Sequence, residues 1–315
     1  MNPKNEKLAI VIPAYKETYL DKALESLVNQ TNQNFSVYIG DDSSPYDLYS
    51  VVKKYQYKLN LFYKKFDQNL GGQDLVAQWE RCVALTKNEE WIWLFSDDDE
   101  LGKKCVENFY NHIEQKSDNK LLHFNVNVIN EKGNVVEEVV FPKKLDAFSF
   151  TLLKLKGVLK SFVVEYVFRR DLYNEVGGFK KYDLAWNADD ATWIEMAKKN
   201  CITTIVGDCV NWRKSSENIS PNNKDVAIVK RKINADLEHI EYLNKSFDGL
   251  VRNFKLTIAV ITWFSVSLLK YEKIFSSREI YEYLKQSVVA VRKPWLYPLA
   301  VVYFRVKAML IGGKL

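Results

Sequence analysis

The sequence predicts an α/β protein with a mostly parallel sheet flanked by helices, followed by a helical C-terminal appendage. Three observations predict it. Short continuous apolar runs alternate with amphipathic helical stretches over the first hundred residues. Two of these runs end in carboxylate clusters, Asp41-Asp42 after residues 35–39 and Asp97-Asp98-Asp99 after residues 91–95. Beyond about residue 250 the chain turns basic and aromatic. We divide it into a body, residues 1–224, and a basic, amphipathic helical region, residues 225–315.

Taken in order, residues 8–12 (LAIVI) form a buried strand that Pro13-Ala14-Tyr15 ends. Thr18 is placed to cap a helix in which Leu20, Ala23, Leu24, Leu27 and Val28 share one face. Residues 35–39 (FSVYI) are the second strand, and Gly40-Asp41-Asp42-Ser43-Ser44 follows at its end. Strand, helix and strand at this spacing make a βαβ unit with parallel pairing. A helix over residues 46–57 leads to a strand at 60–64. The turn Asp67–Gly72 precedes a helix over 73–85 whose inner stripe is Leu75, Val76, Trp79, Cys82 and Val83. Residues 91–95 (WIWLF) are the fourth strand. Asp42 and Asp97–Asp99 therefore open on the same rim, beyond the carboxyl ends of the strands, where such sheets bind ligands.

The second half is less regular. A helix is expected over 101–115, a hairpin of strands 121–129 and 135–141 around Gly133, and a strand at 162–168. Asp189-Asp190 sits in the first turn of a helix reaching Lys199, where carboxylates suit the helix dipole. A strand at 202–206 and a long helix from near Asp225 complete the body and begin the appendage.

Composition narrows the function classes. With 47% apolar and 27% charged residues, the chain is a folded globular protein. Its four cysteines show no CxxC spacing and its three histidines are far apart, which argues for reduced thiols and against a zinc site. The polar N-terminus carries no signal peptide pattern, so a cytoplasmic protein is expected. Residues 251–315 hold 11 Lys/Arg against three Glu, while residues 1–250 hold 34 Lys/Arg against 37 Asp/Glu. Basic segments bearing Trp and Tyr suit a membrane interface, or a face packed on the body or on another subunit. The basic residues avoid the acidic rim, which argues against nucleic acid.

Three adjacent carboxylates repel one another, so a fold that gathers them at a strand end is expected to supply a divalent cation. The ordered set IVIPAY, DDSS, SDDDE and NADDATW resembles the family 2 glycosyltransferases over about residues 7–215. The resemblance implies the GT-A fold, a Rossmann-like sheet, and a nucleotide-sugar donor. It implies that Pro13, Ala14, Tyr15 and Glu17 line the donor pocket, that Asp42 contacts the base, and that Gly71 and Gly72 let the backbone turn beneath the sugar. The triplet matches the DxD motif, so Asp97, Asp98 and Asp99 are the candidates for a Mn²⁺ or Mg²⁺ on the diphosphate. Which two face the ion stays open, because Ser96 stands where the family motif has its first Asp. Asp97 and Asp98 also count among the donor-binding residues.

Asp190 matches the second member of the family's Glu-Asp pair, the general base, with Asp189 in place of Glu. Asp189 and Trp193 would meet the acceptor, and Arg213 the diphosphate. The implied reaction is an inverting glycosyl transfer to a hydroxyl of a glycan or lipid-linked glycan in capsule, O-antigen or similar synthesis. Residues 251–315 would bring the enzyme to the inner face of the cytoplasmic membrane. A nucleotidyltransferase acting on a sugar phosphate also uses paired Asp in an α/β domain, but the N-terminus lacks a glycine-rich basic triphosphate loop. A non-catalytic glycan-binding protein keeps the aromatics, yet gives no reason for carboxylates at three element ends.

Overall fold

The computed structural model describes residues 7–115, 118–218, 225–247 and 253–311; both ends of the basic tail lie outside them. In chain order the elements are β1 (Leu8–Ala14), α1 (Leu20–Val28), β2 (Ser36–Asp41), α2 (Leu48–Lys53), β3 (Asn60–Lys65), α3 (Leu75–Val83), β4 (Trp91–Leu94), β5 (Glu100–Leu101), α4 (Cys105–Glu114), β6 (Leu121–Ile129), β7 (Val135–Val139), β8 (Lys144–Leu145), α5 (Ala147–Leu155), β9 (Tyr166–Arg169), α6 (Arg170–Glu175), α7 (Ala188–Lys199), β10 (Ile202–Arg213), α8 (Val226–Ser246), α9 (Phe254–Leu269), α10 (Ser277–Ala290) and α11 (Tyr297–Ile311). They fall into two compact units. The first holds Met1–Ala147, Ser161–Lys181 and Thr192–Ser216; the second holds Phe148–Lys160, Tyr182–Ala191 and Glu217–Leu315.

The first unit contains the sheet, in the order β3-β2-β1-β4-β9-β6-β10-β5, with β7 beside β6 and β8 beside β10. The strands β3, β2, β1 and β4 run parallel, and β9 pairs antiparallel with β4 and β6. Continuous apolar runs such as LAIVI and WIWL suit strands covered on both faces, and Leu8–Ile12 and Ile92–Trp93 are fully buried. Against them pack Leu20, Ala23, Leu24 and Leu27 of α1, the stripe its 3.6-residue period predicts. That helix begins one residue later than expected, with Tyr19 rather than Thr18 at its N-cap. Asp47 and Asp74 cap α2 and α3 by accepting from Ser50 N and Ala77 N.

Several boundaries differ from the sequence expectation. α2 covers Leu48–Lys53 rather than 46–57. The helix expected from residue 101 starts at Cys105, because Leu101 pairs with Val210 in β5–β10. β10 runs on through Trp212-Arg213, across an irregularity between Ile205 and Val210 where Gly207 takes a φ of 138°. The β6–β7 hairpin forms as predicted, its turn holding Gly133 at a φ of 83°.

The second unit is helical. α8 starts at Asp225, whose side chain accepts from Ala227 N and Ile228 N. α10 opens with a capping box between Ser276 and Glu279. Leu256, Val260, Ile261, Phe264 and Leu268 of α9 are buried, as are Leu284 and Val288 of α10 and Ala300 and Phe304 of α11. The apolar run of α9 is therefore a helical core. Among the described residues no helix is long and apolar enough to cross a membrane.

Candidate active site

Because β1 pairs parallel with both β2 and β4, their carboxyl ends share one edge. Ala14 stands beside Asp41 in the register, and Phe95 N donates to Val11 O. Three loops meet there and are laced by hydrogen bonds. Asp97 Oδ2 accepts from Tyr15 N (2.7 Å) and Lys16 N (2.9 Å). Ser44 Oγ donates to Tyr15 O at 2.6 Å. Asp41 Oδ1 accepts from Ser44 N, and Asp41 Oδ2 from the Tyr63 hydroxyl. Ser43 bends the turn with a φ of 53°. Pro13 is half-buried and Ala14 fully buried beneath this edge, while Tyr15 and Glu17 are exposed on it.

Asp42 is buried and multiply bonded. Its Oδ1 accepts from Leu70 N (2.7 Å) and from Arg81 Nη2; its Oδ2 accepts from Gly71 N (2.8 Å) and Asn69 Nδ2 (3.0 Å). A carboxylate offers about four acceptor sites, so these donors fill it. Asp42 thus holds the 69–72 loop to the end of β2, and a base N–H could reach it only by displacing one of them. Neither Gly71 nor Gly72 has a positive φ. Gly71 is glycine because a Cβ there would lie 2.7 Å from Asp42 Oδ2, and one on Gly72 would lie 2.5 Å from Asn69 Oδ1. Arg81, 39 residues from Asp42, was not legible as its partner. It also donates to Gln68 O and Gln78 Oε1 and stacks 3.9 Å from the Phe66 ring centroid.

The triplet is buried throughout. Asp98 accepts from Ser96 Oγ, and Asp99 Oδ1 accepts from Arg213 N at 2.6 Å. Burial first, then the Asp98 charge, pushes Asp97 up to about 6 and Asp99 well above the usual carboxylate range. A cation would relieve both effects. The donor set, hard carboxylate oxygens only, fits Mg²⁺ or Mn²⁺, which commonly take one or two protein carboxylates and complete their shell with substrate phosphates and water. Among the described residues no three His, Cys, Asp or Glu converge to hold a metal ion.

Arg213, expected on the diphosphate, is buried and bonded internally. It donates from Nε to Asp98 O (2.8 Å), from Nη1 to Asn130 O (3.0 Å) and from Nη2 to Glu100, and it lies over the Tyr19 ring. These bonds brace the loop carrying the triplet, and a phosphate would have to break them. Trp193 is fully buried and stacked on Tyr166, with centroids 4.3 Å apart. It is a core side chain rather than a wall of an acceptor site.

In the second unit Asp189 and Asp190 stand in the first turn of α7 as expected, both partly exposed. Lys154 Nζ of α5 lies 3.0 Å from Asp190 Oδ1; nothing in the sequence marked that pairing. The preceding backbone is strained, with φ positive at Leu184, Ala185 and Asn187. α8 clamps it. Arg231 donates to both oxygens of Asp183 at 2.8 and 2.6 Å. Asp236 Oδ1 accepts from Trp186 Nε1 (2.8 Å) and Asn187 Nδ2 (3.0 Å).

Residues 9–153 match the family model described as Glycosyl transferase family 2. Those residues, just under half of the chain, carry the sequence pattern of a family 2 glycosyltransferase domain. Over 245 residues it is 25% identical to an uncharacterized glycosyltransferase of Rickettsia felis, covering 71% of this chain and 36% of the relative. Over 120 residues it is 32% identical to the poly(ribitol-phosphate) beta-N-acetylglucosaminyltransferase TarS of Staphylococcus aureus, covering 37% and 20%. The chain thus spans about a third or less of the length of these curated relatives. Among solved structures, S. aureus TarS 1–349 in complex with UDP-GlcNAc is similar at 17% identity and a TM-score of 0.56, covering 98% of this chain and 93% of that one. The mannosyltransferase PcManGT from Pyrobaculum calidifontis in complex with GDP-Man and Mn²⁺ is similar at 14% identity and a TM-score of 0.52, covering 96% and 87%. The glycosyltransferase domain therefore has the GT-A fold that its sequence predicts.

Proposed function

We propose that this chain moves a sugar from a nucleoside-diphosphate donor to an acceptor hydroxyl, with inversion at the anomeric carbon. The observation that carries the reading is the carboxylate rim, Asp42 and Asp97–Asp99 laced together at the ends of parallel strands in a family 2 domain. Nucleotide sugars bound to the TarS and PcManGT structures support a donor of that class. The Tyr15 loop and the 69–72 loop shape the donor pocket, held by Asp97 and Asp42.

Asp98 and Asp99 are the residues that would hold a divalent cation, Mn²⁺ or Mg²⁺, while Asp97 pins the amides of Tyr15 and Lys16. A bound cation supplies charge to the departing diphosphate. Asp190 takes the proton of the attacking hydroxyl from its place in the first turn of α7. Lys154 orients that carboxylate. The hydroxyl oxygen forms its bond to the anomeric carbon as the bond to the diphosphate oxygen breaks, so no covalent sugar–enzyme intermediate is needed.

The acceptor is a glycan or lipid-linked glycan in surface-polysaccharide synthesis, reached from the inner face of the cytoplasmic membrane, where the basic helical region holds the chain. A thermal-shift screen of nucleotide sugars with and without Mn²⁺ tests the donor site. Stabilisation that requires metal and vanishes in Asp98→Asn is expected; donor binding indifferent to metal removes the role given to the triplet.

A further inference from the structure

The outer face of α11 carries no carboxylate and no residue assigned to sugar transfer. Trp295, just ahead of the helix, and Leu299, Val302, Val306, Met309 and Leu310 recur at spacings of three and four, and all are 45 to 74% exposed. The opposite face, Ala300, Phe304 and Ala308, is buried where α11 packs on α9 and α10. A helix apolar on both faces belongs in a core or at a lipid boundary, and large apolar side chains rarely stay aligned along a whole water-facing helix.

The charge around the stripe has one sign. Residues 283–315 hold six Lys/Arg and no Asp/Glu. Arg292 and Arg305 are exposed, and Lys307 is half-buried over the Tyr303 ring. A second copy docked about a two-fold axis would set this patch against itself, bringing two basic segments together. An anionic bilayer complements both the charge and the apolar stripe, and Trp suits its interface.

We propose that α11 is an interfacial helix that lies on an anionic lipid surface. The stripe from Trp295 to Leu310 enters the acyl boundary, and Arg292, Arg305 and Lys307 meet headgroup phosphates. This deepens the peripheral location proposed above by naming the surface and the lipid charge, and it does not depend on turnover.

The full chain is sedimented with vesicles of phosphatidylcholine alone and of phosphatidylcholine mixed with phosphatidylglycerol. The wild type is expected to partition onto the anionic vesicles, less so at high salt. Val302→Asn/Val306→Asn replaces two exposed side chains, so the far-UV spectrum and melting temperature stay those of the wild type while partitioning weakens about tenfold or more. Quenching of tryptophan fluorescence by brominated lipid, lost selectively in Trp295→Phe, gives the same answer should the double variant misfold. Unchanged partitioning of Val302→Asn/Val306→Asn, with quenching that Trp295→Phe leaves as in the wild type, overturns the assignment to α11 and leaves the peripheral location standing. A wild type that stays in the supernatant with both vesicles overturns the two together. A concentration-dependent dimer that Val302→Asn/Val306→Asn dissolves assigns the stripe to a second copy instead.

Discussion

Replacing Arg81 by alanine tests whether Asp42 is a structural clasp of the donor loop. The Arg81 side chain is 24% exposed and that of Asp42 5%. Leaving a fully buried charge without its ionic partner costs about 3–5 kcal/mol, and a hydrogen bond to a charged group is worth about 1.5–3 kcal/mol. Asp42 keeps the donors of Leu70, Gly71 and Asn69, so the lower figure applies. Loss of the stack on Phe66 adds about 0.5–1 kcal/mol. The expected destabilisation is about 2–4 kcal/mol, a fall of about 4–16 °C in a body of this size. Calorimetry on Arg81→Ala, Asp42→Asn and the double variant measures it. Coupling between the two positions of about 1 kcal/mol or more is expected, together with weaker donor binding as the 69–72 loop loosens. Additive single effects, or an Arg81→Ala variant that melts within about 1 °C of the wild type, would refute the clasp.

Asp190→Asn should lower kcat by about 10²–10⁴-fold while donor affinity measured by calorimetric titration stays unchanged; parallel loss of donor binding would count against the base. Burial pushes Asp236 up to about 6, so its folded pKa lies above its unfolded one. The stability it lends is full below about pH 4 and is lost as pH rises to about 6. Asp236→Asn, which keeps an acceptor for Trp186 and Asn187, should therefore gain on the wild type by about 3 kcal/mol between those pH values; a pH-independent gap in denaturant midpoints would contradict this. Trp193→Phe gives up part of the stack on Tyr166 and should lower the melting temperature with acceptor KM unmoved. A selective rise in KM would return Trp193 to the acceptor site.

The rim was legible in the sequence because its causes are local. Apolar runs of strand length with amphipathic stretches between them dictate parallel pairing, and parallel strands put the residues after them on one edge. That places Asp42 and Asp97–Asp99 together before any contact is known. The same logic set Asp189-Asp190 in the first turn of α7, and Asp225 at the start of α8.

Which donor each carboxylate receives is another matter, since it joins residues far apart in the chain. Asp42 meets Arg81, Asp99 meets the amide of Arg213, and Asp190 meets Lys154; no periodicity encodes these pairs. Burial is equally non-local. Arg213 and Trp193 read as site residues from their positions in the sequence, yet packing closes over both. The sequence by itself determined the order of strands and helices over the first hundred residues and the edge on which the acids gather, because hydrophobic period and chain direction are local quantities. Only the tertiary structure decided which acids are filled by protein donors, which aromatic belongs to the core and which face of α11 is left to solvent, because each depends on what the rest of the chain brings alongside.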